Sequence, residues 1–210
     1  MVAADEPDTE ELLDRAGRGD RSAVERLLAR HRPRLRRMVA IRMDPRLAAQ
    51  LDPSDVIQEA LVQASPKLTN YLNDRPMPFY PWLRQLTWER LAHLHRRHVA
   101  ASKRSVTREQ DCDLYLPDQS AMELAGRLVA SGTSPSARLV REEARSRVQA
   151  GLAQLATRDR ELLVMRYLEQ LSVGEIAAIL GISEGAVRTR QFRAVERLHA
   201  LLGDDLRQSD

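Results

Sequence analysis

Residues 172–193 constrain this chain more than any other stretch, because local signals there fix two helices and the turn between them. Ser172 and Glu175 have the spacing of a capping box, in which each side chain satisfies a free backbone N–H at a helix start. The helix they open runs through Leu180. Gly181 then supplies a residue able to take the left-handed conformation that ends a helix. Ser183 caps a second helix directly afterwards. Ile176, Ala177, Leu180, Ile182 and Val187 form the apolar pack that sets the angle between the two helices, and the small Ala177 permits close approach. Helix, three-residue turn and helix in this order make a helix-turn-helix, whose second helix enters the major groove of DNA.

The second helix carries the chemistry expected of that role. Val187, Ala194 and Leu198 face inward. Ser183 and Glu184 stand at its start, and Arg188, Thr189, Gln191 and Phe192 are expected on or near the outer face. Arg pairs with guanine and Gln with adenine, while a Thr methyl or Phe ring meets the thymine methyl. Arg190, Arg193 and Arg197 are better placed for phosphates, which position a protein without specifying sequence. Activators and repressors use the same device, so the motif alone leaves the type of DNA-binding protein open.

The remaining chain is expected to be all-α. Aromatic residues make up 4% of the 210, and the apolar residues are mostly Leu, Ala and Val, a mixture that favours helices over sheets. Ser22 and Glu25 read as a capping box, and Pro33 is expected to divide the segment beyond them into two helices. Asp52 and Pro53 read as N-cap and first helical residue. Val56, Ile57, Ala60, Leu61 and Ala64 form the buried stripe of that helix, and Pro66 its expected end. Residues 70–78 are polar, hold two prolines and read as a loop. Pro81 opens a further helix with Leu83, Leu86, Leu91 and Leu94 inward. Ala137, Val140, Ala144, Val148, Leu152 and Leu155 trace another stripe, and Leu162, Leu163 and Tyr167 fit one more. Four segments result: an acidic N-terminus (1–19), a first helical domain (20–100), an acidic linker (101–134) in which residues 120–123 offer a cap for one short helix, and a second helical domain (135–205).

Charge is distributed in blocks. The formal net charge is +3, from 33 Lys and Arg against 30 Asp and Glu. Residues 5–14 carry only acids, residues 26–46 many arginines against the single acid Asp44, and residues 84–108 bases with Glu89 the one acid. Residues 109–123 hold five acids and no Lys or Arg. Any one block reads as an ordinary solvated helix face, but alternation of whole blocks is harder to explain that way. Cys112 is the sole cysteine, which excludes an internal disulfide and a cysteine zinc site. His93, His95 and His98 invite a metal reading, but positions two apart do not share a helix face and the flanking arginines repel a cation. Histidines beside DNA are the simpler account. With no P-loop, carboxylate cluster or nucleophile–base spacing, neither an enzyme nor a cofactor or metal is expected. No apolar run reaches membrane-spanning length and the acidic start is unlike a signal peptide, so a soluble cytoplasmic protein without membrane association is expected.

Three stretches carry a family resemblance. Residues 155–190, LATRDRELLVMRYLEQLSVGEIAAILGISEGAVRTR, resemble region four of sigma factors, as response-regulator output domains also do. Residues 52–61, DPSDVIQEAL, resemble region 2.2. Residues 79–97, FYPWLRQLTWERLAHLHRR, resemble regions 2.3 and 2.4. Order and spacing are similar to the extracytoplasmic-function group, which keeps only regions two and four. The resemblance implies a non-enzymatic subunit that binds core RNA polymerase and directs it to promoters; a stand-alone helix-turn-helix regulator is the alternative.

The resemblance also assigns roles. Asp52, Asp55, Gln58 and Glu59 would meet the clamp helices of the polymerase largest subunit, the last three forming one patch by i, i+3, i+4 spacing. Asn73, Asp74, Arg75, Phe79 and Tyr80 would hold a flipped minus-ten base. Arg84, Trp88, Arg96 and Arg97 would line the path of single-stranded DNA, while Trp82 packs in the core. Ser183, Glu184, Arg188, Thr189, Arg190, Gln191, Phe192, Arg193 and Arg197 would meet the minus-thirty-five element. The acidic residues 109–123 would thread the polymerase as a mimic of nucleic acid. An anti-sigma factor is a frequent partner in the group. The sequence departs from the pattern at Glu89, where asparagine is usual, and at Gln191, where relatives often have an apolar residue.

Overall fold

A computed structural model describes residues 8–102, 116–130 and 138–208, with side chains for 8–97, 116–128 and 146–200. Among the described residues every regular element is helical. The chain divides into two compact units, residues 1–107 and 108–210.

The first unit contains α1 (Thr9–Gly17), α2 (Arg21–Arg42), α3 (Pro45–Ala48), α4 (Pro53–Asp74) and α5 (Phe79–Ser102). α2, α4 and α5 pack on one another, and α1 lies against α2 and α4. The cap of α2 is Asp20 rather than Ser22. Its carboxylate accepts from the Ser22 and Ala23 N–H groups at 2.9 and 3.2 Å. The Arg15 guanidinium and the Ser22 hydroxyl donate to the same carboxylate and, with the Ala23 N–H, hold its pKa well below the usual range. A carboxylate with several donors outcompetes a serine hydroxyl one position inside the helix. At α4 the expected pair holds: Asp52 caps and Pro53 stands at the first position. Asp55 completes a capping box by accepting from the Asp52 N–H at 3.3 Å.

Two prolines expected to end helices do not. α2 runs unbroken through Pro33, and α4 continues eight residues past Pro66. An interior proline costs about 3 kcal/mol through the lost hydrogen bond and ring clash. Beyond Pro33, however, Leu35, Met38 and Val39 are fully buried, and beyond Pro66 Leu68 and Tyr71 are buried as well. Burying each such side chain is worth roughly 1.5–3 kcal/mol, so packing outweighs the local penalty. Both prolines are exposed, as are Ala29 and Val62, the residues whose carbonyls lose their donors, so water can serve those groups. The loop expected over residues 70–78 therefore shrinks to 75–78, between α4 and α5.

The second unit contains α6 (Asp118–Ala130), α7 (Arg138–Gln154), α8 (Thr157–Leu163), a π-helical turn (Val164–Leu168), α9 (Val173–Leu180) and α10 (Glu184–Gln208). Leu152, Leu162, Leu163, Val164, Leu168, Ile176, Val187 and Leu198 form its core. Ala137, Val140 and Ala144 lie outside the described side chains. α6 falls within the segment expected as a linker. It packs on α7 and the π turn, and its Leu124 and Ala125 are fully buried. The acids between 109 and 115 lie outside the described residues.

Candidate polymerase and DNA interfaces

On α4, Asp55, Gln58 and Glu59 form one exposed face, as their spacing requires. They line an open groove with Leu51, Val62, Gln63 and Arg90. Val62 stands out as a large apolar side chain 69% exposed. Glu59 is ion-paired with Arg90 of α5. Asp52 is committed to its cap: donation from the Ser54 backbone and side chain keeps its pKa lowered. The groove thus brings together two acids, the apolar Leu51 and Val62, and the cation Arg90. Val62 and Arg90 escape sequence reasoning, the first because it is an apolar residue next to Leu61 of the expected buried stripe and the second because it comes from another helix.

The loop after α4 is built differently from expectation. Asn73 and Asp74 are exposed on the last helical turn, not in a loop. Arg75 ends the helix in the left-handed region, φ 39°, and its N–H donates to the Tyr71 carbonyl at 2.8 Å. Its guanidinium reaches α1, pairing with Asp14 at 2.7 Å and Glu10 at 3.4 Å. Phe79 and Tyr80, expected to offer faces to a base, are 2% and 3% exposed. Phe79 packs among Tyr71, Trp82 and His31, with centroids 5.4–5.6 Å away. Tyr80 is covered by the Arg34 guanidinium, 3.7 Å from its centroid. Trp82 stacks on Tyr71 at 4.5 Å, in keeping with a packing role. The Tyr71 hydroxyl donates to the Met77 carbonyl at 2.9 Å, tying the loop down. Burial pushes the Tyr71 pKa up to about 12, with the Glu10 carboxylate adding to the shift.

Along α5 the expected DNA-facing residues separate. Arg84 is buried and leaves the surface set. Trp88 is half-buried, with the Arg42 guanidinium 5.0 Å from its ring. Arg96 and Arg97 are exposed. His95 is buried and accepts from the Asp44 N–H at 3.3 Å, so it is a core histidine and not part of the exposed basic surface expected of it. His93 is exposed, and the His98 side chain lies outside those described. Among the described residues no group of three or more His, Cys, Asp or Glu could hold a metal ion.

The second unit realises the helix-turn-helix. Ser172 and Glu175 exchange capping bonds of 3.1 and 2.9 Å. Gly181 takes φ 64°, ψ 33°, and Ser183 accepts from the Ala186 N–H at 3.2 Å. Val187, Ala194 and Leu198 face inward as the periodicity requires. The outer face presents Glu184, Arg188, Thr189, Phe192, Arg193 and Arg197, with Phe192 64% exposed. Arg188 pairs with Glu184 at 2.8 Å, and Thr189 donates to the Gly185 carbonyl at 3.0 Å. Arg190 is half-buried. Arg197 is paired with Asp159 of α8. Gln191 departs from expectation: it is half-buried and its Nε2 donates to the Tyr167 hydroxyl at 3.2 Å.

Residues 145–198 match the family described as Sigma-70, region 4. The chain is 28% identical over 200 residues to the RNA polymerase sigma-H factor of Pseudomonas aeruginosa, covering 95% of this chain and 96% of that one. The chain is related to the RNA polymerase sigma factors. It is also 29% identical over 180 residues to the ECF RNA polymerase sigma factor SigD of Mycobacterium tuberculosis, covering 86% of this chain and 77% of that one. With the ECF RNA polymerase sigma-E factor of Escherichia coli it shares 28% over 187 residues, 89% and 90% of the two chains. The region 4 match contains α8, the π turn, α9 and residues 184–198 of α10, and it excludes α6. Among the described residues no helix is long and apolar enough to cross a membrane.

Proposed function

We propose that this chain is a sigma factor: a non-enzymatic subunit that binds core RNA polymerase and directs transcription initiation to promoters. The observation that carries the reading is the helix-turn-helix, with a recognition helix that turns Arg188, Thr189, Phe192 and Arg193 outward. Arg188 and Thr189 are the candidates for base edges and Phe192 for a thymine methyl. Arg190, Arg193 and Arg197 serve the phosphates, with Arg197 exchanging Asp159 for DNA. Ser183 and Glu184 place the helix start, where backbone N–H groups favour a phosphate.

In the first unit the acidic groove on α4 is the docking face for the polymerase clamp helices. Asp55, Gln58 and Glu59 steer a basic partner and fix its register, and exposed Val62 supplies apolar contact. Asp52 acts indirectly, by setting the start of α4. The minus-ten element falls to the surface formed by Asn73, Asp74 and Arg75 with Arg96, Arg97 and the open edge of Trp88. Phe79 and Tyr80 shape that surface from beneath. Such a protein works in the cytoplasm.

The test is transcription in vitro with purified core polymerase and a genomic promoter library. The expected result is initiation at a restricted set of promoters that core alone ignores, with weak binding of the chain alone to the same DNA. Tight, specific binding without polymerase and no change in start sites would refute the reading and favour a stand-alone regulator.

A further inference from the structure

We propose that Tyr167 is a positioning residue for the recognition helix and that Arg127 of α6 sets it, so that a helix outside the region 4 match belongs to the DNA-reading apparatus. The inference rests on the reading of α10 as the DNA-recognition helix. It starts from the π turn. There the Glu169 N–H bonds to the Val164 carbonyl and the Leu171 N–H to the Met165 carbonyl, both at 3.0 Å. Leu171 is the donor that an ordinary helix would offer to the Tyr167 carbonyl. That carbonyl instead accepts from Arg127 Nη1 at 2.8 Å. Arg127 is itself held by two bonds to Glu123, at 3.1 and 2.7 Å, within α6. At the other end of the residue, the Tyr167 hydroxyl accepts from Gln191 Nε2.

A continuous polar path therefore runs from α6 through the π turn to α10. Gln191 lies four residues from Val187 and three from Ala194, both fully buried, so it flanks the inner stripe. An amide in that place anchors the helix and does not read a base. Breaking the path loosens how Thr189 and Phe192 are presented together. It weakens the use of every upstream sequence without changing the preferred one.

The test uses the full chain with core polymerase on promoters whose minus-thirty-five element is randomised. Tyr167→Phe is expected to lower initiation about five-fold, the size of one part-buried hydrogen bond, with the base-preference profile unchanged. Gln191→Ala should do the same, and the double variant should be no worse than either single variant, the mark of residues acting as one unit. Arg127→Ala should weaken initiation similarly and add nothing in the Tyr167→Phe background, while Arg127→Lys, which keeps a donor, recovers most of the loss. Additive losses, or a preference change at a single base with Gln191→Ala, would overturn the relay. So would equal losses on control promoters that lack the upstream element, since these would mark a general folding defect. If the parent chain itself ignores the upstream element, the reading of α10 fails and the relay with it. A discriminating parent with unaffected variants overturns the relay alone.

Discussion

Reversing the charge of Glu59 separates folding from docking. In the first unit Glu59 pairs with Arg90, and the two side chains are 48% and 15% exposed. A pair this open to solvent contributes at most about 1 kcal/mol to stability. Glu59→Gln should therefore lower the thermal midpoint by only a few degrees, since about 1 kcal/mol corresponds to roughly 4–8 °C in a domain of this size. Glu59→Arg adds repulsion from Arg90 of similar magnitude, still small against the core formed by Leu27, Leu35, Ile57 and Leu83. Docking is different. Against a basic partner, Glu59→Arg turns attraction into a like-charge juxtaposition, which costs several kcal/mol across an interface, so on the proposed docking reading Kd should weaken by more than about ten-fold. Affinity for immobilised core polymerase, measured beside a circular-dichroism melt, should show this disproportion. Glu59→Arg binding within three-fold of the parent would refute the assignment of the groove. A melt showing that the variant is unfolded at the assay temperature would instead refute the small structural cost assigned to the Glu59–Arg90 pair.

The same structure sets other outcomes. Leu124→Ala in α6 should destabilise the second unit by about 2–5 kcal/mol, the cost of emptying a fully buried leucine site; a chemical denaturation curve indistinguishable from the parent's would mean that α6 does not belong to this core. The Asp20 carboxylate has a folded pKa depressed below its unfolded value near 3.8, so its contribution to stability is complete above that pH and is lost as pH falls below it. The difference in thermal midpoint between parent and Asp20→Asn should therefore be constant from pH 7 to 5 and shrink toward pH 2.5; a constant difference throughout would contradict the role given to its donors. Phe192→Ala removes an exposed ring and should leave stability within about 0.5 kcal/mol of the parent, while reducing initiation on promoters with a thymine at its contact position, as read from a randomised library.

The features legible in the sequence are local. The caps at Asp52, Ser172 and Ser183, and the left-handed Gly181, depend on residues within four positions of one another, so spacing suffices to find them. The inward leucines of α5 follow from periodicity alone. Pro33 and Pro66 mislead because their local penalty is real but is outweighed by side chains buried against other helices, which no window around a proline contains. The same limit hides the fates of Phe79, Tyr80 and Arg84. Whether an aromatic face is open depends on what His31 and Arg34 of α2 do to it. Gln191 fits the outer face by spacing, but its partner, Tyr167, lies 24 residues away in a π turn without a clear sequence signature. α6 is hard to tell from linker because its buried face is short and its neighbours in sequence are acidic.

Pro66 has an effect beyond the helix that tolerates it. With no N–H at that position, the Val62 carbonyl lacks its usual donor, and Val62 lines the groove on α4. On the docking reading proposed for this groove, that carbonyl is a main-chain acceptor on the same helix as Asp55 and Glu59, C-terminal to them. Mutating those acids changes the attraction but leaves this oxygen in place. Only giving position 66 back its hydrogen, as in Pro66→Ala, would occupy it from within.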